Sequence, residues 1–127
     1  MTYKFPKKFF RPKKQSKTNS TTSAILLLIT QNYKCYGVRI NTSGIPIIIN
    51  NRVIGWRPST SKGHPDIDGC YKGLSFKVEI KTDDDKLSED QILFISNYEK
   101  AGGKCFVVRD SADFENQFKK HFKINEL

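Results

Sequence analysis

Apolar positions change period several times along the chain, and each change marks an element. Residues 20–34 read "STTSAILLLITQNYK". Hydroxyl residues from Ser20 to Ser23 offer N-caps, and the apolar run behind them fits a buried helix of roughly three turns. Its β-branched Ile and Thr leave a strand as the alternative. In "CYGVRINTSG", Tyr36, Val38 and Ile40 alternate with Gly37, Arg39 and Asn41. That alternation predicts a half-buried strand, closed by turn chemistry at Asn41–Gly44. "IPIIIN" and "NRVIGW" read as a hairpin turning near Asn50 and Asn51, a flap projecting from the core.

Gly63, His64 and Pro65 break the pattern before a strand over 66–71. Lys72-Gly73 turns the chain, and a second strand returns over 74–81. Period two puts Phe76, Val78 and Ile80 on one face, and Lys77, Glu79 and Lys81 on the other. Ser88-x-x-Gln91 is a capping-box pattern that opens a helix, with Glu89 and Asp90 in its first turn. Lys100 sits near its end, and Gly102 or Gly103 stops it. "KCFVVRD" suits a sheet interior. Asp110 or Ser111 caps a last helix, where Phe114, Phe118 and Phe122 recur at helical spacing. The order α-β-(hairpin)-β-β-α-β-α predicts an α/β (α+β) fold, a mixed sheet flanked by helices.

A chain of 127 residues argues for one domain. Net charge is +9, and its distribution matters more than its size. Lys4, Lys7, Lys8, Arg11, Lys13, Lys14 and Lys17 fall within residues 1–20, which hold no acid. Residues 1–20 therefore read as a basic flexible arm, and 21–127 as the folded domain. Tyr3, Phe5, Phe9 and Phe10 interleave with the cations, a composition suited to holding DNA phosphates and stacking on bases. The plainer reading is a solubilising or protein-docking tail. Cys35, Cys70 and Cys105 form no C-x-x-C pair, which argues against a zinc ribbon. They are expected to be buried free thiols in a reducing compartment. The apolar run Ala24–Ile29 is too short to span a bilayer, so no membrane is expected. The N-terminus lacks a signal-peptide core.

One constellation carries chemistry. Hydrolysing a phosphodiester requires an activated water and balanced charge at phosphorus, and a divalent metal supplies both. Asp66 and Glu79, on adjacent predicted strands, can converge on one Mg²⁺, with the Ile80 backbone carbonyl as an additional ligand. Lys81, on the face of Glu79, can orient the water or neutralise developing charge. The plain readings stand beside these. Glu79 and Lys81 can be a solvated pair worth under about 1 kcal/mol. Gln91 can be only the partner of Ser88. Asp68 shares the face of Asp66 as a reserve ligand. His64 reads as a loop residue, Asp83–Asp85 as a solvated loop, Trp56 beside Arg57 as a packing residue, and Ser43-Gly44 as turn.

Asp66 and Glu79-Ile80-Lys81 resemble the PD-(D/E)xK signature of the restriction-endonuclease-like superfamily. With "INTSG", "GHPDIDG", "VEIK", "KLSEDQ", "AGG" and "KCFVV", the chain is similar over about residues 20–122 to the VRR-NUC family, the virus-type replication-repair nucleases. The resemblance implies a restriction-endonuclease-like α-β-β-β-α-β core with an inserted hairpin, a Mg²⁺ or Mn²⁺ requirement and DNA cleavage. That cleavage would be structure-selective, serving replication, repair or recombination. It also implies Gln91 as an active-site residue, a homodimer, and the cytoplasm of a bacterial cell or phage-infected host. The sequence departs from the family at one point. The family usually carries a Glu in its first helix, whereas residues 18–34 hold no acid and Thr22 or a neighbour takes that place. Two rivals follow: a non-catalytic DNA-binding or virion-associated protein that keeps the fold, and a Holliday-junction resolvase.

Overall fold

The computed structural model describes residues 17–40, 44–57 and 62–125. Nine elements follow in order: α1 (Lys17–Gln31), β1 (Tyr36–Arg39), β2 (Ile45–Ile49), β3 (Arg52–Arg57), β4 (Ile67–Tyr71), β5 (Leu74–Ile80), α2 (Glu89–Lys100), β6 (Lys104–Val108) and α3 (Ser111–Phe122). Four strands form a mixed sheet in the order β1-β4-β5-β6. β1 and β5 both run antiparallel to β4, and β6 runs parallel to β5. The parallel pair is joined through α2, as a parallel connection requires. β2 and β3 make a separate antiparallel hairpin, whose two-residue turn at Asn50 and Asn51 has positive φ at both positions (51° and 61°). That is the type I′ geometry for which Asn is favoured.

Helices α1 and α3 cover one face of the sheet. Ile25 and Ile29 of α1 join Ile67, Phe76, Val78, Phe106, Phe114 and Phe118, all with no exposed surface. The rings meet edge to face: Phe106 and Phe114 lie 5.7 Å apart at 85°, Phe76 and Phe118 5.4 Å apart at 68°. Each such pair adds roughly 0.5–1.5 kcal/mol beyond burial. The four-residue spacing of Phe114, Phe118 and Phe122 thus delivers the α3 stripe that the sequence predicts. Its N-cap is Asp110, whose side chain accepts from the Asp113 N–H.

Three expectations change. First, α1 begins at Lys17, inside the stretch read as an arm, so Ser20–Ser23 are helix interior and not caps. Tertiary burial overrides the weak propensity of a Thr/Ser-rich start. Thr22 is 1 % exposed, and its hydroxyl donates back to the Thr18 carbonyl at 2.8 Å. Second, the phase of β1 is inverted: Tyr36 is 72 % exposed and Val38 40 %. The inward residue is Gly37, where a Cβ would come within 2.6 Å of Ile29 Cδ1. α1 packs so closely on this edge strand that any side chain here would have to displace the end of Ile29, and alternation alone cannot show that. Third, Cys35 and Cys105 are buried free thiols as expected, but Cys70 is only half-buried. Burial raises Cys35 to about 11; burial and then the Glu79 charge raise Cys105 to about 12, so both stay protonated.

Gly69 makes a sharper contact. It pairs with Phe76, and a Cβ there would meet the Phe76 ring at 2.3 Å. Gly69→Ala is expected to destabilise the fold by about 1–3 kcal/mol through overpacking, read as a lower urea midpoint at unchanged slope. A midpoint equal to the parent's would show that the ring has room to move.

Candidate metal and catalytic site

The second face of the sheet is polar, because each residue between the core positions of β4 and β5 points away from the core. Asp66 and Asp68 come from β4 and the residue before it; Lys77 and Glu79 come from β5, and Lys81 follows it. α2 lies over part of this face without burying any of its own residues. A cluster of titratable groups is therefore left half open at one end of the sheet.

Glu79 is the least accessible of them, at 3 % exposure. Its Oε1 accepts from Gln91 Nε2 at 3.1 Å and lies 3.8 Å from Lys81 Nζ. Its Oε2 is buried and accepts no hydrogen bond within the described structure. Asp66 is held from the other side: its Oδ2 accepts the Ile80 N–H at 2.9 Å. The Asp66 carboxylate is close enough for its charge to act on Glu79. Burial first, and then the Asp66 charge, push the Glu79 pKa up to about 8, although Lys81 pulls it down.

The structure brings together Asp66, Glu79, Lys81 and Gln91. Ile80 joins them through its backbone, while its side chain lies in the core. In a strand, the N–H and C=O of one residue point to the same edge. The Ile80 carbonyl therefore faces the Asp66 side, beyond the last paired residues of β4 and β5 at Ile67 and Val78. Gln91 is the capping partner of Ser88 and also touches the candidate acid Glu79. Its backbone N–H donates to Ser88 Oγ at 3.2 Å, its Oε1 accepts the Ser88 N–H at 2.9 Å, and its Nε2 reaches Glu79. The capping box fixes the amide that fixes the carboxylate.

Other candidates fall elsewhere. Asp68 is engaged, accepting from Lys77 Nζ and lying 2.8 Å from His64 Nε2, so it braces the loop before Asp66. Sequence reasoning missed this brace, since period two puts Lys77 on the polar face without indicating a partner. It also missed Asp85, whose Oδ2 lies 3.8 Å from Lys81 Nζ. Only the i,i+4 spacing across a loop hinted at that contact. Lys17 pairs with Asp83 at 2.6 Å, in line with its helical position. Thr18 Oγ1 and Thr82 Oγ1 lie 3.2 Å apart, so the start of α1 reaches the loop behind Lys81 without bringing an acid. The proposed arm cations Lys4, Lys7, Lys8, Arg11, Lys13 and Lys14 lie outside the described residues. Ser43 does too.

Among the described residues, no three His, Cys, Asp or Glu side chains are placed to hold one metal ion. The donor set is two carboxylates and a carbonyl, all hard oxygen. A buried carboxylate oxygen with no donor is an acceptor awaiting a cation or a proton. Mg²⁺ and Mn²⁺ suit such oxygens and tolerate a shell completed by water. No protein-family model matches the chain, and no curated protein matches it. No described helix is long and apolar enough to cross a membrane.

Proposed function

We propose that the chain is a metal-dependent DNA nuclease of the restriction-endonuclease-like type. The observation that carries this reading is the pairing of Asp66 with the buried Glu79, whose Oε2 lacks a donor, beside the Lys81 ammonium. The element order also supports it: a helix, three antiparallel strands interrupted by a hairpin, then a helix and a parallel strand.

Asp66, Glu79 and the Ile80 carbonyl would hold a Mg²⁺ or Mn²⁺ ion. When bound, the ion supplies an acidified water and charge neutralisation at the phosphate. The protein's own groups prepare that site. Gln91 holds Glu79 Oε1 and leaves Oε2 turned inward. The Ile80 N–H holds one Asp66 oxygen and so orients the other. Lys81 lies where an ammonium can bind a non-bridging phosphate oxygen or orient the attacking water. Asp85 keeps that ammonium aimed while the site is empty of substrate. The arm, with its acid-free run of cations, adds affinity for the DNA backbone.

The test is cleavage of radiolabelled DNA by the full chain in Mg²⁺, Mn²⁺ and EDTA, alongside calorimetric Mn²⁺ titration of the parent and Asp66→Asn. Cleavage in both metals and none in EDTA is expected, with Mn²⁺ binding weakened at least tenfold by Asp66→Asn. Undiminished cleavage in EDTA would remove the mechanism. DNA binding without cleavage in any metal would favour the non-catalytic rival, and a preference for four-way junctions would favour the resolvase.

A further inference from the structure

The β2–β3 hairpin is the part of the molecule that the candidate site does not explain. It is Ile-rich, yet none of its residues is buried: Ile45 is 63 % exposed, Ile49 53 % and Ile54 61 %. No described helix or strand packs on it as α1 and α3 pack on the main sheet. A two-stranded hairpin alone in water is marginal, so this ribbon is shaped for an occupant.

Its position points to which one. The hairpin is inserted between Ile40 and Asp66, and the Ile40 N–H donates to the Asp66 carbonyl at 2.8 Å. The chain thus departs for the hairpin and returns from it at the residue proposed to hold the metal. Its charge points the same way. Residues 1–65 carry twelve Lys and Arg and no acid; Asp66 is the first carboxylate in the chain. Residues 66–127 carry ten cations against thirteen acids. The acid-free half of the chain includes the whole hairpin.

One face of the ribbon is ordered for backbone contact. Ile49 pairs with Arg52, Ile47 with Gly55 and Ile45 with Arg57. Opposed residues share a face, so Arg52 and Arg57 stand at its two ends with isoleucines and a glycine between them. Neither guanidinium is in an ion pair with a described residue. At about 3.3 Å per residue the two positions lie roughly 15 Å apart. That span suits phosphates on the two walls of a major groove about 12 Å wide, which admits a two-stranded ribbon. Two copies of the chain meeting through this face would instead set four arginines together.

Resting on the nuclease reading above, we propose that the β2–β3 hairpin is the DNA-gripping element beside the site. It lies in the groove of the duplex that flanks the scissile phosphate. Arg52 and Arg57 take backbone phosphates on either side, and Ile45, Ile47 and Ile49 pack toward the base edges, where an apolar side chain meets a thymine methyl.

The experiment measures the affinity of the full chain for a duplex oligonucleotide in Ca²⁺, against salt concentration. The parent is compared with Arg52→Ala/Arg57→Ala, and with Arg52→Lys/Arg57→Lys as the charge-retaining control. Losing two phosphate contacts is expected to lower the slope of log K against log salt by about 1.8. Affinity at low salt should fall at least tenfold, and the lysine pair should restore the slope. Both guanidinium groups are exposed, so thermal melts should not change. An unchanged slope overturns the inference. So does an unchanged slope accompanied by loss of a dimer in sedimentation, which would assign the face to a second copy. If the slope falls as expected while no variant or parent cleaves DNA, the hairpin assignment stands and the nuclease reading fails.

Discussion

Lys81→Ala is expected to lower DNA cleavage by about 10²–10³-fold while leaving fold and DNA affinity close to those of the parent. Removing one preorganised cation from a developing phosphate charge has that order of effect on turnover. The separation of effects follows from where the ammonium sits. Its side chain is 15 % exposed, between Glu79 and Asp85 at 3.8 Å from each. Neither distance is that of a tight hydrogen bond, so the fold loses little when the ammonium goes. On the proposed reading, affinity for duplex DNA would rest instead on the many cations of residues 1–65. The measurement is single-turnover cleavage with saturating enzyme, together with binding in Ca²⁺ and a denaturation curve. Lys81→Arg should recover only part of the rate, because a planar guanidinium does not reproduce a point charge. Full activity in a folded Lys81→Ala protein would remove Lys81 from the reaction. An unfolded variant would show instead that the ammonium neutralises the buried Glu79.

The parts of this site legible in the sequence are those that period two determines. Phe76, Val78 and Ile80 read as core, so Glu79 and Lys81 had to share the opposite face. The capping-box spelling places Ser88 and Gln91 at the start of α2, where the structure has them. Paired asparagines marked the hairpin turn for the same reason: the φ > 0 they tolerate is a local property. What stayed hidden depends on contacts between distant segments. The burial of Glu79 comes from α2 crossing the sheet, and nothing in "VEIK" spells that out. The Asp68–Lys77–His64 brace joins three segments, and the reversed face of β1 depends on how near α1 comes to Gly37. The extra turn at the start of α1 belongs with these, because Ser and Thr look like caps until Thr22 is found in the core. Local rules thus placed the candidate residues on one face, and tertiary packing decided how strongly Glu79 is perturbed.

That perturbation leads to an expected inverse relation between stability and activity at Glu79. In the unfolded chain Glu79 titrates near its ordinary value of 4.5, whereas burial and Asp66 raise it to about 8 in the native state. Between those two values the native protein keeps a proton that the unfolded chain has lost. This group's contribution to stability is therefore largest below pH 4.5, falls as the pH rises from 4.5 to 8, and is level above. At about 1.4 kcal/mol per pKa unit the loss is on the order of a few kcal/mol. Glu79→Gln keeps the shape and an acceptor for Gln91 but cannot ionise. The metal-free variant should be more stable than the parent at pH 8, by that same order, and the two should converge near pH 4. Divalent metal should reverse the ranking. In the parent, Mn²⁺ competes with the proton for the orphaned oxygen, so it should stabilise the fold increasingly as the pH approaches 8 and release a proton on binding. In Glu79→Gln this stabilisation and the cleavage should both be lost. Urea denaturation from pH 5 to 9, with and without Mn²⁺, resolves the four curves. A difference between variant and parent that does not change with pH would show that Glu79 ionises normally. Mn²⁺ stabilisation of equal size in both proteins would place the ion away from Glu79, and then the buried carboxylate would need another partner.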